Sequence, residues 1–305
     1  MKIVNNEIEE IKNNIPGKKM EYCGRVCYKS DSNISDSSYI KFLQNIYKSG
    51  HLSVLEHERI IFKVDNSYEL DRIIPNLKFF KITSYNKNLI ISADVRAWVE
   101  NCSNVENPFY PFLQEIYPFL FSGKSEVFKF PNIKLIDDKA FKTLTEGEKS
   151  EIEEFHKART FKILCSRACS HQLVRHRVFS FSQQSQRYCN FSGEKFGHSI
   201  DFIMPIIDDK KTFEKASKES ILKRFENNFQ EAENNYFSLI EMGVRPEDAR
   251  AILPNAAATI IVMTGTKQDW FNFFKLRCDE HAQREIRDVA FMIKNKLGEN
   301  DEKHN

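Results

Sequence analysis

The chain has 305 residues, 41% apolar and 29% charged, an ordinary composition for one large globular domain or two modest ones. Its 45 lysines and arginines nearly balance 43 acidic residues, and they are spread along the sequence, which argues against a general polyanion binder. The seven cysteines include no Cys-x-x-Cys pair, Met1–Pro16 lacks the apolar core of a signal peptide, and no apolar run reaches membrane length, so the expectation is a cytoplasmic protein with reduced thiols and no structural zinc.

Val4–Ile15 is a weak opening segment, and Tyr22–Lys29 is an apolar–polar mix. Ser30–Ser38 has the composition of a surface loop. Tyr39–Ser49 places Ile40, Phe42, Leu43, Ile46 and Tyr47 at helical spacing, with Gly50 as its stop. Arg59–Val64 reads as a strand, Leu89–Ser92 as a shorter one, and Val95–Asn101 as a helix behind Asp94 as N-cap. Phe109–Phe121 is aromatic-rich, and Ser122–Thr145 is polar and loop-heavy. Gly147–Ala158 is a charged amphipathic helix, Phe161–Cys165 a strand, and Ser170–Arg177 a short helix followed by extended chain. Glu214–Met242 predicts a long helix, and Pro246 opens a short one that Pro254 ends. Thr266 or Asp269 caps a last long helix, Trp270–Lys296, before a polar tail at 298–305. No tandem repeat is visible, and the spacing shared by Ser92-x5-Trp98 and Thr264-x5-Trp270 reads as coincidence.

The run Arg175-His176-Arg177 admits two readings. Short basic runs are usually solvated faces. The alternative is a junction where each side chain meets a different anionic or electron-rich partner, and the flanking Leu173, Val174, Val178 and Phe179 favour it. Ser180–Arg187 then sets hydroxyls and amides beside an arginine, a suitable phosphate cradle because guanidinium binds phosphate bidentately. Histidines 171 and 176 are five apart, unlike the i, i+4 pair of a helical metal site.

Arg175-His176-Arg177-x7-Ser185, continued by Gln186-Arg187-Tyr188, resembles the signature of the flavin-dependent thymidylate synthases. Three further segments resemble that family in the same order. They are His51-x-Ser53-x2-Glu56-His57, Pro246-Glu247-Asp248-Ala249-Arg250-x2-Leu253-Pro254, and Asn272-Phe273-Phe274-x2-Arg277 with His281-Ala282-Gln283.

The resemblance implies reductive methylation of dUMP to dTMP, with methylenetetrahydrofolate as carbon donor and NADPH as reductant through FAD, and no cysteine nucleophile. It implies dUMP contacts from Gln172, Arg175, Gln183, Ser185, Gln186, Arg187 and Arg250, with Ser185 and Arg187 on the phosphate. Arg277 is implied as the residue that activates the uracil, against the alternative of a salt bridge to Asp279 or Glu280. FAD contacts are implied for Ser53, Arg175, His176, Arg177, Gln183 and Asn272, with Glu56 and His57 ordering that pocket. The implied fold is α+β, one mixed domain over 1–297 with helices packed on a central sheet, in a homotetramer whose sites lie between subunits.

The chain departs from the family's pattern in two places. Thr266-Lys267-Gln268 stands where many relatives carry Asn-x-Arg, removing one arginine. A segment at about 65–157 is an insertion relative to compact members, and Asn88–Trp98 within it has no derivable role. The rival functions are a catalytically impaired relative and a nucleic-acid-binding protein using the Arg175–Arg187 segment; the latter leaves the other three motifs unexplained.

Overall fold

The computed structural model describes residues 1–13, 15–65, 70, 74–123, 132–193, 196–207 and 214–298. The opening segment forms two short strands, β1 (Lys2–Val4) and β2 (Glu7–Glu10). Tyr22–Lys29 belongs to a helix, α1 (Lys18–Tyr28), that buries Met20, Cys23 and Val26. Helix α2 (Ser38–Lys48) follows as expected, and Gly50 takes the positive φ of 74° that leads the chain out of it. A 3-10 turn, Leu52–His57, carries the first motif into β3 (Arg59–Asp65).

Strands β4 (Lys81–Tyr85) and β5 (Asn88–Asp94) form a hairpin whose two-residue loop has Asn86 at φ 54°. Asp94 accepts from the Ala97 amide and so caps α3 (Val95–Cys102), as its sequence predicts. Then come α4 (Tyr110–Ile116), β6 (Ile133–Leu135) and α5 (Asp138–Lys142). Part of the expected loop Ser122–Thr145 is thus regular, and its residues 124–131 lie outside the described residues. Thr145 and Glu148 make a capping box at α6 (Glu146–Phe155).

Next are β7 (Ala158–Ser166), α7 (Arg167–Leu173), β8 (Ser180–Gln183), β9 (Asp201–Ile203), α8 (Lys218–Glu241) and α9 (Pro246–Ala249). Strand β10 (Ala258–Thr266) leads into α10 (Lys267–Arg277) and α11 (Arg284–Lys296). The expected single last helix is therefore two. Asp279 turns the chain by accepting from the His281 amide, and the Gln283 side chain restarts the helix by accepting from Ile286. Residues 299–305 of the expected tail lie outside the described residues. Among the described residues no helix is long and apolar enough to cross a membrane.

The fold is α+β, but the expected central sheet is two antiparallel four-stranded sheets, ordered β2-β7-β10-β8 and β4-β5-β3-β6, plus the parallel pair β1-β9. Each large sheet has its own apolar cluster. One gathers Phe62, Trp98, Phe109 and Phe112, with ring centroids 5.0–5.7 Å apart around Phe62. The other gathers Phe161, Ile261, Met263, Trp270 and Phe273 with Ile286 and Val289 of α11. A third, under α8, stacks Phe202 on Phe229.

The repeated Ser/Thr-x5-Trp spacing marks one local construction built twice. In each case a strand ends at a capping residue, Asp94 or Thr266, and a buried tryptophan follows four positions on. Trp98 Nε1 donates to the Ile60 carbonyl on β3, and Trp270 Nε1 donates to the Arg159 carbonyl on β7, each at 3.3 Å. The hydroxyls cross over: Thr264 pairs with His57 Nδ1 at 2.7 Å, and Ser92 pairs with His156 Nδ1 at 2.8 Å. These bonds, with Lys81 on Asp269 at 2.8 Å, tie the two sheets together.

Candidate active site

Ser166 caps α7 by accepting from the Cys169 amide. Glu285 of α11 holds that cap, accepting from the Ser166 amide at 2.7 Å and from its hydroxyl at 2.6 Å. Sequence reasoning passed over Glu285, a buried carboxylate two residues beyond the last motif. By fixing the start of α7 it fixes Gln172, which donates to Gln283 at 3.4 Å.

The expected helix over Ser170–Arg177 ends early: α7 stops at Leu173, and Arg175-His176-Arg177 lies in the turn beyond it. The amides of Arg175 and His176 reach back only three residues, to Gln172 and Leu173, which tightens the chain and ends the helix. Arg175 and Arg177 are exposed, while His176 folds inward. Its ring meets Phe273 edge-on at 4.9 Å, and its Nε2 accepts a 2.8 Å hydrogen bond from Arg277 Nε. Accepting there places the proton of the neutral ring on Nδ1. Burial, aided by the Arg277 charge, pushes the His176 pKa down to about 4, so the ring is neutral at pH 7. The same turn rests on Phe179, which packs against β10 because Gly265 is bare: a Cβ there would lie 2.4 Å from the phenyl ring.

A cleft of about 420 Å³ opens between α1, the Leu52–His57 turn and β8, and Ser53, Gln183, Ser185 and Arg187 line it together with Tyr28 and Arg96. That volume suits a small-molecule ligand. Gln183 is oriented by donating to Ser170 Oγ at 2.8 Å and Thr259 Oγ1 at 3.3 Å. The Ser185 amide donates to the Cys27 carbonyl at 3.1 Å, and Ser185 Oγ accepts from the Arg187 amide at 3.2 Å. This turn leaves the Arg187 guanidinium exposed, 5.2 Å from the centre of the Tyr188 ring. Among the described residues, the Arg175, Arg177 and Arg187 side chains make no ion pair or hydrogen bond. Gln186 is buried, and its Nε2 has no hydrogen-bond partner among the described residues.

The remaining candidates lie elsewhere in the chain. Glu56 does not line the cleft and pairs with Arg96 at 2.8 Å. His57 is fully buried against Thr264, and burial pushes its pKa down to about 3. Arg250 donates to the Glu247 carbonyl at 3.0 Å, and Asn272 is exposed beside Gln268 at 3.5 Å. Arg277 does not pair with Asp279, which instead accepts from His281. One chain thus holds separate groups: the cleft, the His176–Arg277 pair near Gln172, and Arg250. Arg96 is a charged cleft residue that the motifs did not include; its signal was an arginine in the first turn after Asp94. Cysteines 165, 169 and 189 are buried, and the contact with Cys165, together with burial, raises the Cys169 pKa, away from that of an activated thiolate.

Residues 133–300, more than half of the chain, match the family model described as thymidylate synthase complementing protein. That span contains three of the four motifs; His51–His57 precedes it. Among curated proteins, the chain is 41% identical over 150 residues to a flavin-dependent thymidylate synthase of Geobacter sulfurreducens, covering 49% of this chain and 59% of that protein. It is 42% identical over 140 residues to one of Saccharolobus solfataricus, covering 45% and 48%. It is 44% identical over 140 residues to one of Sulfurisphaera tokodaii, covering 45% and 49%. The matched segment therefore spans about half of these relatives' length.

Proposed function

The chain belongs to the thymidylate synthase complementing protein family, and on that premise we propose that it is a flavin-dependent thymidylate synthase. It would methylate dUMP to dTMP, taking carbon from methylenetetrahydrofolate and electrons from NADPH through FAD. The observation that carries the reading is the trio Arg175, Arg177 and Arg187, guanidinium groups that no carboxylate of the described chain neutralises. Unpaired guanidinium forks beside hydroxyls are the donor set that phosphate-bearing ligands require.

In this reading Ser185 and Arg187 hold the dUMP phosphate, and Gln172, Arg175, Gln183, Gln186 and Arg250 complete its site. The partnerless Gln186 Nε2 supports that role, since a buried donor wants an acceptor. Ser53, Glu56, Arg175, His176, Arg177, Gln183 and Asn272 form the FAD side. Their cations and amides fit an anionic flavin nucleotide, which when bound supplies the hydride that reduces the transferred carbon. Arg277 faces the uracil. Its partner His176 is neutral, so the guanidinium keeps its full charge for the negative charge that builds on the ring.

The scattering of these groups over one chain supports sites completed between subunits of a homotetramer. The seven free cysteines suit a reducing compartment such as the cytoplasm. Residues 1–297 are read as one family domain, with about 65–157 inserted, that binds neither nucleic acid nor membrane.

Purified protein should show flavin absorbance and should oxidise NADPH to yield thymidylate when given dUMP and methylenetetrahydrofolate. Protein that stays colourless after reconstitution with FAD rules the reading out, and flavin-loaded protein that forms no thymidylate is the impaired relative instead. Arg187→Ala should weaken dUMP binding by roughly tenfold to a hundredfold while leaving FAD bound. Equal loss of both ligands contradicts the assigned division of roles.

A further inference from the structure

The segment that carries none of the four motifs sends one residue into the cleft. Arg96 lines the same cavity as Ser53, Ser185 and Arg187, 40 residues along the chain from Glu56, which holds it. Its placement is built rather than incidental. Helix α3 is anchored by the buried Val95, Ala97, Trp98 and Val99, so the backbone under Arg96 is fixed. Two carboxylates then aim the guanidinium: Glu56 accepts from Nη1 at 2.8 Å and Glu100 from Nε at 2.9 Å. Neither carboxylate lines the cleft, and neither takes a hydrogen bond from Nη2.

Glu56 and Glu100 offset the Arg96 charge, so Arg96 brings the cavity a fork of N–H donors, and the unpaired charge there is that of Arg187. Among the described residues the cavity's lining includes two arginines, Arg96 and Arg187, and no aspartate or glutamate. It also offers the hydroxyls of Ser53, Ser182 and Ser185 and the exposed ring of Tyr188. Two guanidinium groups, three hydroxyls and an aromatic face in about 420 Å³ match an anionic group joined to a planar ring.

We infer that Arg96 is a second phosphate-binding guanidinium of this cleft, facing Arg187 across a nucleotide ligand, and that Glu56 and Glu100 act through it as positioning residues. The inference rests on the functional reading above. It also gives the Asn88–Trp98 stretch a role beyond joining the sheets, because the β4–β5 hairpin and α3 deliver this one cation. The phosphate is either that of dUMP or the pyrophosphate of FAD, and both present the same chemistry to the arginine.

The experiment compares Arg96→Gln with wild-type protein by calorimetric titration of two ligand pairs, dUMP against deoxyuridine and FAD against riboflavin. The expected result is a tenfold to hundredfold loss, roughly, for the phosphate-bearing member of one pair, with its phosphate-free partner unaffected. The pair that responds identifies the source of the phosphate. Arg96→Lys should recover part of that loss, since it keeps the charge without the fork. Equal weakening of both members of a pair would reveal a structural role and overturn the inference, as would unchanged binding of all four ligands. Wild-type protein that binds neither pair overturns the functional reading and this inference together, whereas tight wild-type binding with an indifferent Arg96→Gln overturns this inference alone.

Discussion

A guanidinium that donates to a neutral imidazole keeps its positive charge, and the imidazole is held in one tautomer. That is the state of Arg277 and His176, and it depends on the burial of the ring against Phe273. Arg277→Ala should lower kcat by roughly a hundredfold to a thousandfold, the usual cost of losing one group that meets developing charge, with FAD retained. The same substitution removes a cation beside His176, so the His176 pKa should rise from about 4, although burial, the larger cause, still holds it below the ordinary histidine value. An imidazole titration followed by NMR checks this; an unmoved His176 would show that the two side chains are not coupled. Motif order in the sequence nominated Arg277, Ser185 and Arg187 as candidates. It did not lead to Arg96 or Glu285, because their partners lie 40 and 119 residues away and no local period reports such pairs.

Capping chemistry made some elements legible and hid others. Asp94 was readable as an N-cap because a short polar side chain stood before the helical pattern. At the second site the sequence left Thr266 and Asp269 as alternatives, and the structure makes Thr266 the cap with Asp269 its capping-box partner. The break between α10 and α11 was not readable, since neither glycine nor proline marks residues 278–283 and the turn is made by side chains of Asp279 and Gln283. The end of α7 was hidden for a similar reason: Val174 and Arg175 are compatible with helix, and only the three-residue backbone bonds stop it. At the Thr266 cap two elements from different sheets meet. Lys81 on β4 donates to Thr266 Oγ1 at 2.7 Å and to both oxygens of the nearly buried Asp269. Lys81→Met would strand that carboxylate and should cost about 3 kcal/mol, while Thr266→Ala should cost about 1–2 kcal/mol through the lost cap. Urea midpoints give both values, and the double variant should lose less than their sum because the two side chains share Asp269. Strict additivity would mean that the tether and the cap act independently.

At the scale of the molecule, the two sheets are joined through buried histidines that cannot easily take up a proton. Burial pushes His57 and His156 down to about 3, with smaller contributions from Lys19 on the first and from Arg59 and Lys81 on the second. Both are protonated in the unfolded chain below about pH 6.5 and neutral in the fold, so each makes stability fall as pH drops from there towards 3. The crossed hydroxyl bonds of Thr264 and Ser92 are the contacts that this protonation strains. Asp94 works in the opposite sense. Burial raises it to about 6, against the pull of the Ala97 amide and Arg59, so the native state holds a proton there that the unfolded chain releases above about pH 4. Its contribution to stability is therefore present at low pH and is lost as pH rises through 6. Glu58, also raised by burial, acts in the same direction as Asp94. Asp94→Asn keeps an N-cap for α3, because asparagine caps as well as aspartate, and removes one opposing proton. Between about pH 4.5 and pH 6 the variant's stability should therefore rise with pH more steeply than the wild type's, by about 1 kcal/mol per pH unit, since the proton difference at Asp94 stays below one across that window. Urea unfolding at a series of pH values measures the two slopes; parallel slopes would show that Asp94 titrates alike in the folded and unfolded chains.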